Sequence, residues 1–243
     1  MDLLLNDKRV VVTGGSSGIG FAIVRAFLQE GAEVWFCGRT ATKIEKAVSE
    51  LGELVHHVHT AVVDVTDRKE FEAWIDTIPK IDVFVPNVSA LSDAWDEVIR
   101  VDITSTQANI ETVIHKLNCS TTPVITYIGS KAGGLTVKNA QAYGAGKAAM
   151  AHYMKSLALT HAPDIRVNTV SPGDTYVEDG LWGNVKEQKP AEFLQVLARN
   201  PMNRLATPEE VANVVVFISS PRASYVSGAN WYVDGASVNQ IQY

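Results

Sequence analysis

Apolar residues follow two rhythms along this chain. Short runs rich in β-branched residues recur at 9–13 (RVVVT), 33–38 (EVWFCG), 55–64, 81–85 (IDVFV), 123–129 (PVITYIG), 165–170 (IRVNTV) and 230–233. Runs of this length between turn residues are expected to be buried strands. The intervening stretches carry apolar residues at helical spacing, at 21–30, 41–51, 67–78, 93–117, 141–161 and 208–219. In the first of these, Phe21, Ile23, Val24, Phe27 and Leu28 mark one face and Gly31 ends the helix. Asp67 caps the third helix and Pro79 stops it, and Pro163 closes the helix over 141–161. Regular alternation of such strands and helices predicts a parallel sheet covered on both faces. With right-handed crossovers this is a doubly wound α/β sheet of about seven strands, a Rossmann fold. No break in composition divides the chain, so residues 1–243 are expected to form one domain. Residues 174–207 break the alternation, and an irregular insert of that length is expected to be a lid.

Composition narrows the classes. Apolar residues make up 46% of the chain, enough for a large core. A net charge of −6 and the absence of a Lys/Arg-rich block argue against a nucleic-acid partner. No run reaches the roughly 18–20 apolar residues of a membrane span, and the charged start of the chain does not read as a signal peptide. A soluble, cytoplasmic protein is the expectation, with Cys37 and Cys119 as free buried thiols. His56, His57 and His59 resemble a metal cluster, and His57 and His59 would share one strand face. No cysteine or well-spaced carboxylate joins them, so they read as solvated histidines at a sheet edge, with no metal. Trp95, Phe71 and Trp74 sit at core spacing, and Asp93, Asp96 and Glu97 suit the first turn of a helix.

Candidate chemistry concentrates in two stretches. The first strand runs into Gly14-Gly-Ser16-Ser17-Gly18-Ile19-Gly20, and a helix follows. A glycine-rich turn between a first strand and first helix aims a helix N-terminus at an anion, here the pyrophosphate of a dinucleotide. The second stretch is Tyr143-Gly-Ala-Gly-Lys147. Residues four apart share a helix face, so a phenol stands beside an ammonium that favours its ionised form, as in a tuned acid/base.

Together these stretches resemble the short-chain dehydrogenase/reductase family. The glycine loop looks like that family's cofactor loop, and Ser130, thirteen residues before Tyr143, completes a set like its catalytic serine, tyrosine and lysine. The resemblance extends through Asp64-Val65, the segment from Arg166 to Pro172-Gly173, and the ending at Val233-Asp-Gly235. It implies that Tyr143 protonates the substrate oxygen as hydride arrives from the nicotinamide. Lys147 would support the tyrosine and hold the nicotinamide ribose, and Ser130 would polarise the carbonyl. It also implies that Asp64 meets the adenine amino group with Val65 behind the ring, and that Pro172, Gly173 and Thr175 lie at the carboxamide. A homo-oligomer, dimer or tetramer, follows from the same resemblance. An NAD site usually carries an acid at the end of the second strand, where this chain has Gly38 and then Arg39. Glycine leaves room for a 2′-phosphate and the arginine fork matches it, so NADP(H) is expected ahead of NAD(H).

Two departures stand out. The family's Asn-Asn-Ala-Gly appears as Pro86-Asn87-Val88-Ser89, in which Asn87 and Val88 are carried over as cofactor contacts. The asparagine that supports a proton-relay water in the family is Asp102 here, which would place a negative charge near Lys147. The expectation is a retuned relay. In the insert, Tyr176, Leu181, Trp182, Phe193, Leu194, Leu197 and Met202 point to an apolar or aromatic ketone or secondary alcohol as the small-molecule substrate. A 3-oxoacyl-carrier-protein reductase and a non-catalytic dinucleotide-binding sensor are the alternatives.

Overall fold

A computed structural model describes residues 1–239. Its seven strands are β1 (Arg9–Thr13), β2 (Glu33–Gly38), β3 (Val58–Val62), β4 (Val83–Val85), β5 (Val124–Ile128), β6 (Arg166–Pro172) and β7 (Asn230–Val233). They form one sheet in the order β3-β2-β1-β4-β5-β6-β7, and every neighbouring pair is parallel. The strand order reverses between β1 and β4, which opens a crevice at their carboxyl ends.

Helices cover both faces because successive strand residues point to opposite sides. Val10 and Val12 of β1 pack with Ile23, Val24 and Phe27 of α1 (Gly18–Gln29) and with Val211 and Val215 of α9 (Pro208–Ser219). Val11, between them, joins the opposite core. There Phe71 and Trp74 of α3 (Arg68–Asp76), Ile110 and Val113 of α5 (Thr106–Leu117), and Met150 and Met154 of α6 (Gln141–His161) meet the sheet. The helix α2 (Ala41–Glu50) places Ile44 and Ala47 on the first face.

Several elements depart from expectation. The strand expected over 55–64 begins only at Val58, because Gly52 turns with φ +57° and residues Gly52–His57 wind as a 3-10 helix. His57 and His59 therefore share no strand face. His59 lies on edge strand β3, stacked 4.4 Å from Trp35 and 2.9 Å from Glu33. No His/Cys/Asp/Glu group able to hold a metal occurs among the described residues. Cys119 is exposed, since it sits in the surface turn after α5. Cys37 is buried, and burial pushes its thiol up to about 12. Trp95 is 55% exposed and does not join the core with Phe71 and Trp74. The insert is not irregular: it contains α7 (Leu181–Gln188) and α8 (Pro190–Arg199), with Tyr176 packed edge-on to Phe193. No helix among the described residues is long and apolar enough to cross a membrane.

The helix expected over 93–117 starts at Trp95 and is not uniform. After α4 (Trp95–Glu97) it widens into a π segment, Val98–Ser105, before α5. The Val101 carbonyl accepts hydrogen bonds from the Ser105 and Thr106 hydroxyls. Such widened turns are frequent at functional sites, and this one carries Asp102.

Asp82, at the base of β4, is fully buried. Its carboxylate accepts from the Arg9 N–H and the Ser120 hydroxyl and lies 3.1 Å from the Lys80 ammonium. Burial acts to raise its pKa, but those three donors outweigh burial and hold it below the usual carboxylate range. A depressed folded-state pKa stabilises the fold above the unfolded value and loses that contribution as pH falls through the folded one. Asp82→Asn is expected to cost about 2 kcal/mol at neutral pH, with the deficit shrinking below about pH 4. Denaturant titrations of both proteins across pH check this; a deficit that does not change with pH contradicts it.

Candidate active site

The glycine loop follows β1 at the edge of the crevice. Gly14 turns with φ +67°, and a Cβ on Gly20 would stand 2.1 Å from the Gly14 carbonyl oxygen. The start of α1 is thus pressed onto the turn as only glycine allows. Ser17 caps α1 without a side-chain hydrogen bond. The first N–H groups of a helix have no intrahelical acceptor, and those of Gly18, Ile19 and Gly20 find no protein acceptor among the described residues. Together with the helix dipole they form a cradle for an anion.

The far side of the crevice is stitched to this loop by Asn87. Its backbone N–H donates to the Thr13 hydroxyl at 3.0 Å, and its side-chain amide donates to the Thr13 and Gly14 carbonyls. Asn87 therefore shapes the loop from below, with its amide group committed to protein. Val88 is beside it, its Cγ2 3.0 Å from where a Gly14 Cβ would lie. Pro86 loses no sheet bond, because only its carbonyl is used, by the Ile128 N–H.

At the end of β2, Gly38 faces the Ser16 hydroxyl, and a Cβ there would come within 2.8 Å of it. Arg39 is exposed, and among the described residues no carboxylate pairs with it within 4 Å. Asp64 accepts from the N–H and hydroxyl of Thr66. Burial acts to raise its pKa, but the Thr66 bonds and the fields of Arg39 and Arg100 bring it below the usual value. One carboxylate oxygen thus caps a turn. Val65 is buried in the second core and offers its carbonyl to Asn109.

Ser130 ends the loop after β5. Its Oγ accepts from the Ala132 N–H at 3.1 Å, capping a 3-10 turn over Lys131–Gly133 and leaving its own proton to donate. That turn lies directly on α6: a Cβ on Gly133 would come within 3.0 Å of the Lys147 and Ala148 backbone, and one on Gly144 within 3.0 Å of the Ala132 carbonyl. The turn after Ser130 thereby meets the face of α6 that carries Tyr143 and Lys147. The start of α6 is fixed by Asp93, whose carboxylate accepts from the Ala142 N–H at 2.8 Å. Asp93 was expected in the first turn of its own helix. It lies before that helix and holds another one, next to Tyr143.

Lys147 is 3% exposed. Its Nζ donates to the Tyr127 hydroxyl at 3.1 Å and the Ile128 carbonyl at 3.2 Å, and lies 3.4 Å from Asp102 Oδ1. It stands 5.8 Å from the centre of the Tyr143 ring. Burial acts to lower its pKa, but Tyr127, Tyr143 and Asp102 outweigh burial and hold it above the ordinary lysine value. Asp102 also accepts from the Ser89 hydroxyl at 2.5 Å and the Ala90 N–H at 2.9 Å. The two departures from the family pattern, Ser89 and Asp102, are therefore partners. Tyr127 had no place in the sequence reading, because a tyrosine in a buried strand looks like core packing.

Beyond β6, Thr175 donates to the Gly173 carbonyl at 3.2 Å and so folds onto its own loop. Val177 reaches the glycine loop, its methyls 3.4–3.7 Å from where a Gly18 Cβ would lie. Lys131 and Asp174 pair at 2.5 Å, joining the loops after Ser130 and after Pro172-Gly173.

A protein-family model described as Enoyl-(Acyl carrier protein) reductase matches residues 14–236. The isoepoxydon dehydrogenase of Penicillium expansum is 32% identical over 95% of each chain. The 3-oxoacyl-[acyl-carrier-protein] reductase of Chlamydia pneumoniae is 31% identical over 97% of this chain and 98% of that one. The L-sorbose reductase from Gluconobacter frateurii, in a crystal structure complexed with NADPH and L-sorbose, superposes with a TM-score of 0.92 at 27% identity, covering 99% of this chain and all of that one. These matches mean that the chain belongs to the short-chain dehydrogenase/reductase family of oxidoreductases.

Proposed function

We propose that the protein transfers hydride between NADP(H) and a ketone or secondary alcohol, with Tyr143 as the acid/base. The observation that carries this reading is the buried Lys147 ammonium, held beside Tyr143 on the helix against which the Ser130 turn packs. When bound, NADP(H) would supply the hydride that the carbonyl carbon takes up in the reducing direction. Ser130 donates its hydroxyl proton in a hydrogen bond to the carbonyl oxygen. Tyr143 passes its phenolic proton to that oxygen, and the Lys147 ammonium favours the phenolate left behind.

The residues present fit NADP(H). The unpaired N–H groups at the start of α1 suit the pyrophosphate, and the exposed Arg39 beside the side-chain-free Gly38 suits a 2′-phosphate. The L-sorbose reductase neighbour, complexed with NADPH, supports the same choice. Arg39→Ala is expected to weaken NADPH binding about tenfold and to leave NADH binding within about twofold. Fluorescence titrations with both nucleotides measure this, and equal losses for the two would contradict the assignment.

For the substrate we favour an apolar or aromatic carbonyl compound, supported by Tyr176, Phe193 and their neighbours on the α7–α8 insert, which acts as the lid. A polyhydroxylated substrate is the second reading. The Lys131–Asp174 pair favours it by offering polar groups at the same mouth. Turnover of a panel holding hydrophobic ketones, ketoses and a 3-oxoacyl thioester separates these and the carrier-protein alternative. Binding of NADPH with no turnover on any arm would instead support a non-catalytic sensor. We further propose one domain working as a cytoplasmic homo-oligomer. The exposed Trp95, Ile99 and Leu159 give apolar surface for association.

A further inference from the structure

The ammonium of Lys147 is more completely held than an acid/base partner requires. Its three hydrogens meet two hydrogen-bond acceptors, and a carboxylate stands beside it at ion-pair distance. The Tyr127 hydroxyl projects from β5, the Ile128 carbonyl from the same strand, and the Asp102 carboxylate from the π segment. We propose that Tyr127 is a positioning residue for Lys147: its hydroxyl, with the Ile128 carbonyl and a Ser89-braced Asp102, fixes the ammonium beside Tyr143. The inference rests on Tyr143 and Lys147 forming the acid/base pair.

Each side of the cradle has its own support. Tyr127 is 1% exposed, and its ring packs in the core with Ile125 and Met150, so the hydroxyl cannot swing away. Burial raises the Tyr127 phenol above its ordinary value, although Lys147 draws it back. It therefore stays neutral across the working range and accepts from the ammonium as a dipole. Asp102 is 1% exposed and takes its other hydrogen bonds from Ser89 and the Ala90 N–H. The titratable groups acting on Lys147 are Tyr127 on β5, Tyr143 on its own helix and Asp102 on the π segment. Asp102 forms the ion pair with the ammonium and Tyr127 accepts a hydrogen bond from it, so Asp102 supplies charge and Tyr127 supplies direction.

The division makes distinct demands on two variants. Tyr127→Phe removes only the hydroxyl and keeps the ring in the core. Its thermal midpoint is expected to stay within a few degrees of the parent's, while kcat falls about tenfold with the carbonyl KM unchanged. Lys147 starts above the ordinary lysine value, so losing an acceptor lowers it. Its titration is expected to move down by about one pH unit in Tyr127→Phe and further in Asp102→Asn. In Asp102→Asn the ammonium persists at neutral pH and acts on Tyr143 without an opposing charge, so the activity–pH profile moves downward.

The experiment follows the Cε signal of Lys147 by carbon-13 NMR in the full chain, labelled at lysine and assigned by its loss in Lys147→Arg. Parent, Tyr127→Phe and Asp102→Asn are titrated, and kcat and KM are measured on the same samples. A lowered Lys147 titration in Tyr127→Phe with a retained melting point supports the proposal. Superimposable Lys147 titrations in parent and Tyr127→Phe overturn it, whatever the kinetics. A parent that shows the shifted lysine but turns over no substrate refutes the catalytic reading and not the cradle.

Discussion

Tyr143→Phe is expected to abolish turnover, with kcat down by about 10²–10⁴, while NADPH binds within about twofold of the parent. The substitution removes one oxygen. The ring is half-buried on α6, and no hydrogen bond to its hydroxyl is formed among the described residues, so the fold loses nothing that the oxygen held. What disappears is the proton that Tyr143 is proposed to pass to the substrate oxygen. Phenylalanine keeps the ring beside Lys147 but offers no group to protonate the product. If activity falls and NADPH affinity falls equally, Tyr143 is a binding residue instead. If activity persists, the acid lies elsewhere.

Gly20→Ala is expected to produce the largest loss of cofactor binding. The added methyl would stand 2.1 Å from the Gly14 carbonyl oxygen and 2.6 Å from the Asn87 amide nitrogen. Both are held: Gly14 by its left-handed turn, and Asn87 by bonds to Thr13 and Gly14. Neither can yield without moving the strand ends or lifting the start of α1 off the turn. The N–H groups proposed to face the pyrophosphate move with that helix end. NADPH affinity should fall by at least about tenfold, and the melting temperature by about 4–8 °C for a cost near 2 kcal/mol. Calorimetric titration and thermal melts of the same sample measure both. Unchanged affinity would place the pyrophosphate away from this loop.

Local signals in the sequence carried much of this architecture. The β-branched runs located the strands because the five inner ones, β1, β2, β4, β5 and β6, are buried, while the edge strands β3 and β7 are only partly covered. The glycine spacing marked the loop because its geometry excludes a side chain. Tyr143, Lys147 and Ser130 were legible through their mutual spacing and their resemblance to a family pattern. What stayed hidden depends on partners distant in sequence. Asp93 was read as an acid for its nearest helix, yet it holds Ala142, forty-nine residues on. Asp82 was one polar residue in a strand, and its three partners come from β1, the preceding loop and the turn after α5. The π segment arises from hydroxyls competing for the Val101 carbonyl and from α6 lying so close that a Cβ on Gly146 would meet Val98 at 2.4 Å. Ser89 and Asp102 were each read as a departure. Only the folded chain shows that one answers the other, and that Asp102, so braced, meets Lys147 together with Tyr127.

The most direct test of the account is to follow the hydride itself. The purified protein is supplied with NADPH carrying deuterium at the transferable position of the nicotinamide, together with the best ketone of the panel. Alcohol product with deuterium on the carbinol carbon is expected, formed by the parent and not by Tyr143→Phe. Alcohol without deuterium, or no alcohol from any ketone while NADPH binds, would contradict it.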